Sequence, residues 1–244
     1  MTDRSTILRE IGLTPIWLAR DSASSAASIA PVAQVAQVAP ITVNPRATPT
    51  TVSDADRETQ IASMGWDELI TSIASCTACN LCKTRTNTVP GVGDHAPSWM
   101  VIGEAPGETE DRRGEPFVGR AGQLLDAMLA AVDKKRTQGV FITNVVKCRP
   151  PGNRDPDVDE ILACAPYLKR QIALAAPKLL LAAGKFAAQT LLNRQDTVTA
   201  MRASGGQFAG IPVVVTYHPS YLLRSPLEKA KAWDDLLKAR AMFA

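Results

Sequence analysis

WMVIGEAPGE, residues 99–108, runs from apolar residues straight into a turn built of Gly103, Pro106 and Gly107. A short, continuous apolar run ended by Gly and Pro reads as a strand buried on both faces, as in a parallel sheet. The same signature recurs as VFITN at 140–144, KLLLAAG at 178–184 and PVVVT at 212–216. Around these strands, apolar spacing near 3.6 predicts helices over Trp66–Ser75, Gly122–Val132, Asp157–Ala175, Lys185–Leu192 and Leu227–Met242. Alternation of strands and helices implies right-handed crossovers and an α/β fold with helices on both faces of a parallel sheet. Ligands in such sheets bind beyond the carboxyl ends of the strands. That rule draws attention to GEAPGE at 103–108, Asn144, Gly184 and His218.

The rest of the chain bounds the possibilities. It has 244 residues, 45% hydrophobic and 21% charged, and a net charge of +3. Those are values of a soluble globular protein, and so small a net charge neither demands nor excludes a polyanionic partner. No apolar stretch approaches the roughly 20 residues of a membrane-spanning helix. The opening MTDRSTILREIGL lacks the apolar core of a signal peptide, so a cytoplasmic protein is expected. Residues 1–21 carry a short helical pattern (Ile7, Leu8, Ile11, Leu13, Ile16, Trp17, Leu18) broken by Pro15, a candidate contact for a protein partner. From Ser22 to Ser53 the only charge is Arg46 and there is no aromatic residue, which reads as a disordered Ala/Val/Pro/Ser/Thr-rich linker. The expected division is therefore 1–53 as helix and linker, and 54–244 as the folded domain.

Five cysteines are present: Cys76, Cys79, Cys82, Cys148 and Cys164. An odd number in a reducing compartment argues against a disulfide framework. Three of them fall within residues 76–82, which points to metal or cluster ligation. Four thiolates suit an iron–sulfur cluster, and also zinc.

Four further segments stand out. GEAPGE at 103–108 lacks the Lys and Ser/Thr of a nucleotide-binding P-loop, which disfavours ATP chemistry. GEPFVGRAG at 114–122 holds Phe117 in a loop, TNVVKCRPP at 143–151 sets an amide, two bases and a thiol at a strand end, and HPSYLLR at 218–224 carries one of the two histidines. None is decisive alone. In this order, with CTAC at 76–79, PFVGRAGQLLD at 116–126 and the rest, they resemble the uracil-DNA glycosylase superfamily. The resemblance is greatest to its iron–sulfur, thermophile-type branch, often called family 4, and covers about residues 60–242.

This resemblance implies a three-layer α/β/α sandwich with a central, mainly four-stranded parallel sheet. It implies hydrolysis of the N-glycosidic bond of uracil in DNA, in base excision repair, by a monomer whose partner is uracil-containing DNA. By position, Cys76, Cys79, Cys148 and Cys164 are implied ligands of a structural 4Fe–4S cluster, with Cys82 a spare thiol. The uracil pocket is implied to comprise Ala105, Phe117, Asn144 and His218. Phe117 would stack on the flipped base, Asn144 would read its edge, and a side chain from Glu108–Glu110 would exclude the thymine methyl. Leu222 is expected to wedge into the space left by the flipped nucleotide. Ser220 and Arg224, with Lys147, Arg149 and Arg120, are candidate phosphate contacts. His218 is expected to stabilise charge on uracil O2. The well-known enzymes carry Asp where this chain has Ala105, so Glu104 becomes the candidate for activating water, or else it caps backbone N–H groups of the turn. A DNA-binding relative without chemistry, recruited to replication or repair, is the alternative. A covalent trap is disfavoured, because RPPGNRDPD at 149–157 contains no His.

Overall fold

A computed structural model describes residues 54–243, and the helix and linker expected within 1–53 lie outside the described residues. Among the described residues six strands form one sheet: β1 (Val92–Gly93), β2 (Trp99–Gly103), β3 (Val140–Asn144), β4 (Leu179–Ala183), β5 (Gly206–Phe208) and β6 (Ile211–Thr216). Their order is β1-β3-β2-β4-β6-β5. The inner four, β3, β2, β4 and β6, run parallel, while β1 and β5 add short antiparallel edges. The four predicted strands are thus the parallel core, and the two edge strands are additions. Neither Val92–Gly93 nor GQF at 206–208 is long enough to carry an apolar pattern.

Nine α-helices follow among the described residues: α1 (Asp54–Ser63), α2 (Trp66–Ala74), α3 (Glu108–Arg113), α4 (Arg120–Ala130), α5 (Val158–Ala175), α6 (Lys185–Leu192), α7 (Val198–Ser204), α8 (Pro219–Arg224) and α9 (Lys229–Ala241). Pleating sends alternate strand residues to opposite faces. Met100, Ile102, Leu180, Ala182, Val213 and Val215 pack with Leu168 and Ile172 of α5 and Ala187, Ala188 and Leu191 of α6. Val101, Val140, Ile142, Leu181 and Val214 pack on the other face with Leu125 and Leu129 of α4 and Leu236 and Ala239 of α9. Every residue of β2, β3 and β4 is buried, which is why those strands read as unbroken apolar runs. Helices α1 and α2 form an outer shelf on α5 through Ile61, Leu69, Ile73 and Tyr167. Among the described residues no helix is long and apolar enough to cross a membrane.

Strand order positions the site. After β2 the chain turns to β3 on one side, and β4 then lies on the other side of β2, so connections diverge above the β2–β4 pair. Such a switch point opens a crevice at the carboxyl ends of the strands. Register pairs Gly103 with Asn144 and Ala183 with Thr216, so the turns after all four parallel strands rise side by side.

Candidate active site and thiol cluster

A cleft of about 600 Å³ opens at that switch point. It is lined by the turn after β2 (Glu104, Ala105, Pro106, Gly107), by Glu110, Phe117 and Asn144, by Gly184 and Lys185 after β4, and by Tyr217, His218, Ser220, Tyr221 and Arg224 after β6. The 150–155 loop adds Pro150, Asn153, Arg154 and Asp155.

Its floor is set by close approach. A Cβ on Gly103 would stand 2.4 Å from Asn144 Oδ1 and 2.5 Å from the Phe117 ring, so only glycine lets the two side chains converge over β2. Asn144 is buried, and its Oδ1 has no hydrogen-bond partner among the described residues. A buried acceptor without a donor is uncommon in a folded protein and marks a place where a ligand donor fits. Phe117 is buried at φ +54°, a backbone conformation that is an outlier for a bulky residue and costs about 1–3 kcal/mol. Two charged groups fix its loop. Glu110 Oε1 accepts the Val118 and Gly119 N–H groups at 2.9 Å each. Arg136 donates to the carbonyls of Pro116 at 2.8 Å and Phe117 at 2.5 Å.

The Phe117 ring lies 5.5 Å from the His218 imidazole. His218 caps α8, and its Nδ1 accepts the Ser220 N–H at 3.2 Å, with Ser220 Oγ at 2.7 Å. A backbone N–H only donates, so Nδ1 is the acceptor and the ring proton sits on Nε2. Burial, with Arg224 nearby, holds the His218 pKa down to about 4, so the ring is a neutral N–H donor near pH 7. Glu104 behaves oppositely. Burial, and next the charge of Asp155, push its pKa up to about 7, against the pull of Lys185. No N–H among the described residues donates to its carboxylate, so the cap expected as its alternative role is not formed.

Two expectations need correction. Leu222 is only 1% exposed and packs on Tyr217 and Ala232, with Leu124 and Met128 against them, and is not free to wedge between bases. Residues 219–224 form α8, whose periodicity turns Leu222 inward while Leu223 and Tyr221 stay exposed. Lys147 is likewise not a phosphate contact. It is 1% exposed and its ammonium donates to Thr143 Oγ1 at 2.7 Å and to the Asn144 carbonyl at 2.5 Å, bracing the end of β3. Arg120 and Arg224 are exposed; Arg149 is half-buried, held by Asn153 Oδ1 at 2.7 Å. Sequence reasoning missed Lys185, Asp155 and Tyr221 as cleft residues. Lys185 directly follows the strand-end Gly184 already singled out, so that signal was available.

Of the five thiols, Cys76 lies within electrostatic range of Cys79, Cys148 and Cys164, which arrive from three separate segments. Burial pushes the Cys79 and Cys148 thiols up and that of Cys164 to about 12. Buried thiols resist ionisation unless a cation meets them, and a bound metal removes that resistance. Cationic donors are already present: Arg85 Nη1 reaches Cys148 Sγ at 3.0 Å while its Nη2 holds the Cys76 carbonyl at 2.9 Å, and Arg57 approaches Cys76 Sγ at 3.8 Å. Cys82 stands beside Cys79 at the edge of a second, polar hollow with Asp157, Asp159 and Glu160. Among the described residues no three His, Cys, Asp or Glu side chains gather around one ion position.

Comparison with known proteins gives concordant results. The family model described as the uracil DNA glycosylase superfamily matches residues 90–237. The chain is 42% identical over 180 residues to the type-4 uracil-DNA glycosylase of Archaeoglobus fulgidus, covering 70% of this chain and 90% of that protein. It is 41% identical over 178 residues to the type-4 enzyme of Sulfurisphaera tokodaii, covering 70% of this chain and 81% of that one. The type-4 enzyme of Thermotoga maritima is 39% identical over 173 residues, covering 69% and 90%.

Proposed function

The chain belongs to the uracil-DNA glycosylase superfamily, and from that premise we propose that it hydrolyses the N-glycosidic bond of uracil in DNA, releasing free uracil and leaving an abasic site for base excision repair. The observation that carries this reading is the unpartnered, buried Asn144 Oδ1 beside the Phe117 ring. Uracil offers an N3–H donor to that oxygen and an O4 acceptor to the amide NH2. A base within a duplex cannot reach such a floor, so the nucleotide must be extruded. Phe117 then stacks on it, a contact worth about 1–3 kcal/mol. Ala105 lines the same pocket, and Glu110 is the carboxylate that would meet the C5 methyl of thymine.

Bond cleavage places negative charge on uracil O2 while the sugar becomes cation-like. His218 supplies a neutral Nε2–H donor for that charge, which needs no proton transfer. Glu104, ionised above pH about 7, orients or activates the attacking water. Ser220 holds the His218 ring and, with Arg224, Arg149 and Lys185, meets the DNA backbone. Leu223 takes the place expected of Leu222 at the gap left by the flipped nucleotide.

Cys76, Cys79, Cys148 and Cys164 are the residues that would hold a 4Fe–4S cluster, a reading supported by the electrostatic influence their thiols exert on one another and by the four-thiolate ligation such clusters take. When bound, a cluster supplies iron–thiolate bonds that tie 76–79 to the segments carrying Cys148 and Cys164; hydrolysis itself needs no electron. The activity resides in residues 54–244 of a cytoplasmic monomer, and residues 1–21 serve a protein partner.

The test is single-turnover release of uracil from an oligonucleotide holding one deoxyuridine. Wild type should cut, and Asn144→Asp should lose most of its rate because a carboxyl group does not offer the same acceptor and donor pair. Full retained rate in Asn144→Asp contradicts the assignment, and an intact oligonucleotide with wild type favours an inert DNA-binding relative.

A further inference from the structure

We propose that Arg136 is a positioning residue for uracil recognition, acting solely through Phe117. It rests on the reading of Phe117 as the base-stacking side chain. Arg136 lies outside every motif, in the turn before β3 that the Lys135–Gln138 bridge closes. Its side chain is only 16% exposed, and its donors are all directed at the Phe117 loop and the helix that follows it. Nη1 and Nη2 take the Pro116 and Phe117 carbonyls, Nε holds Asp126 of α4 at 3.0 Å, and Nη1 also stands 3.5 Å from Glu115.

The loop needs such a clamp. Phe117 has φ +54°, and its carbonyl is driven so close to α4 that a Cβ on Gly122 would overlap it at 1.6 Å. Glu110 fixes the loop from the N–H side, at Val118 and Gly119. Arg136 fixes it from the carbonyl side. A planar guanidinium serves the two adjacent carbonyls from two separate nitrogens held in a fixed fork, a geometry that the single nitrogen of an ammonium does not reproduce. With the carbonyl side released, the peptide can relax out of the left-handed region, and the ring leaves its place over Gly103 and beside Asn144. Strain of this kind corresponds to about a 5- to 140-fold change in the occupied conformation.

Two readouts on the full-length protein test this. Hydrogen exchange at the Val118 and Gly119 amides should speed up in Arg136→Met by about 5- to 140-fold, with the amides of β4 unchanged. Wild-type exchange at both amides in that variant would overturn the clamp. In single-turnover uracil release, Arg136→Met should slow cleavage within the same range, and the Arg136→Met/Phe117→Ala double variant should be no slower than Phe117→Ala alone. Additive losses would show that Arg136 acts by another route, and the proposal would fall. If Arg136→Met does not fold, Arg136→Lys replaces it: both readouts should move the same way by less, and wild-type values for both overturn the proposal. Should the wild type release no uracil, the functional reading fails by itself, and exchange still decides whether the clamp exists.

Discussion

The pH dependence of cleavage should belong to Glu104. Burial and the neighbouring Asp155 raise its pKa from an ordinary 4.5 to about 7, while His218 is held near 4. Across pH 6 to 8 the imidazole therefore stays neutral while the carboxyl group passes through its titration; Lys147, which burial lowers to about 8, starts to lose its proton only at the top of that span. At a pKa of about 7 roughly one-eleventh of Glu104 is ionised at pH 6 and ten-elevenths at pH 8, so a rate that needs the carboxylate rises about tenfold over that span. The assay is single-turnover uracil release at saturating enzyme, which removes binding from the measured rate. Asp155→Asn deletes a like charge and should move the acid limb to lower pH; Lys185→Met deletes an opposing one and should move it higher. Glu104→Gln should abolish the limb and slow cleavage by about 10²–10⁴. Stability supplies an independent check. A carboxyl group raised on folding binds more protons in the native than in the unfolded state between pH 4.5 and about 7, so its contribution to stability falls as pH rises through that window. Glu104→Gln should therefore gain melting temperature relative to wild type at pH 8 and lose the gain near pH 4.5. If Glu104→Gln cuts at near wild-type rate with the limb unmoved, water activation by Glu104 is wrong, and catalysis rests on His218 and the phosphates of the DNA.

Other expectations are more local. Protein purified anaerobically should be brown and hold about four irons per chain; Cys148→Ser should lose iron and solubility together while Cys82→Ser keeps its iron, and stoichiometric zinc in wild type would refute the cluster. A chain beginning at Asp54 should retain uracil release on short oligonucleotides, and loss of activity despite a normal circular dichroism spectrum would assign residues 1–53 a catalytic role. Gly122→Ala should destabilise the protein by more than about 1 kcal/mol, because its Cβ would overlap the Phe117 carbonyl; an unchanged urea midpoint would show that the loop moves aside freely.

How much was legible beforehand depended on how local the cause was. The four parallel strands and the helices of 66–74, 158–175 and 185–192 stood out because burial on both sheet faces leaves unbroken apolar runs and helices carry their own periodicity. Helix α3, ETEDRR, did not, having no apolar face; it is pinned instead by Asp111, which accepts the Thr86 and Asn87 N–H groups from a distant loop. Motif order sufficed for the superfamily, since Gly103, Phe117, Asn144 and His218 each sit beside a strand end or tight turn that their neighbours dictate. Side-chain direction was another matter. Leu222 and Lys147 stand in segments whose sequence does not say which side chains face inward, yet packing on α9 and α4 turns one inward and the end of β3 captures the other. Arg136 and Arg85 reach carbonyls and sulfur nine to 63 residues away. The sequence by itself determined which segments become the four parallel strands and the longer helices around them, because those follow from neighbours along the chain. Only the tertiary structure decided which charged and apolar side chains face solvent and which brace the site, because desolvation and hydrogen-bond pairing depend on groups brought close solely by folding.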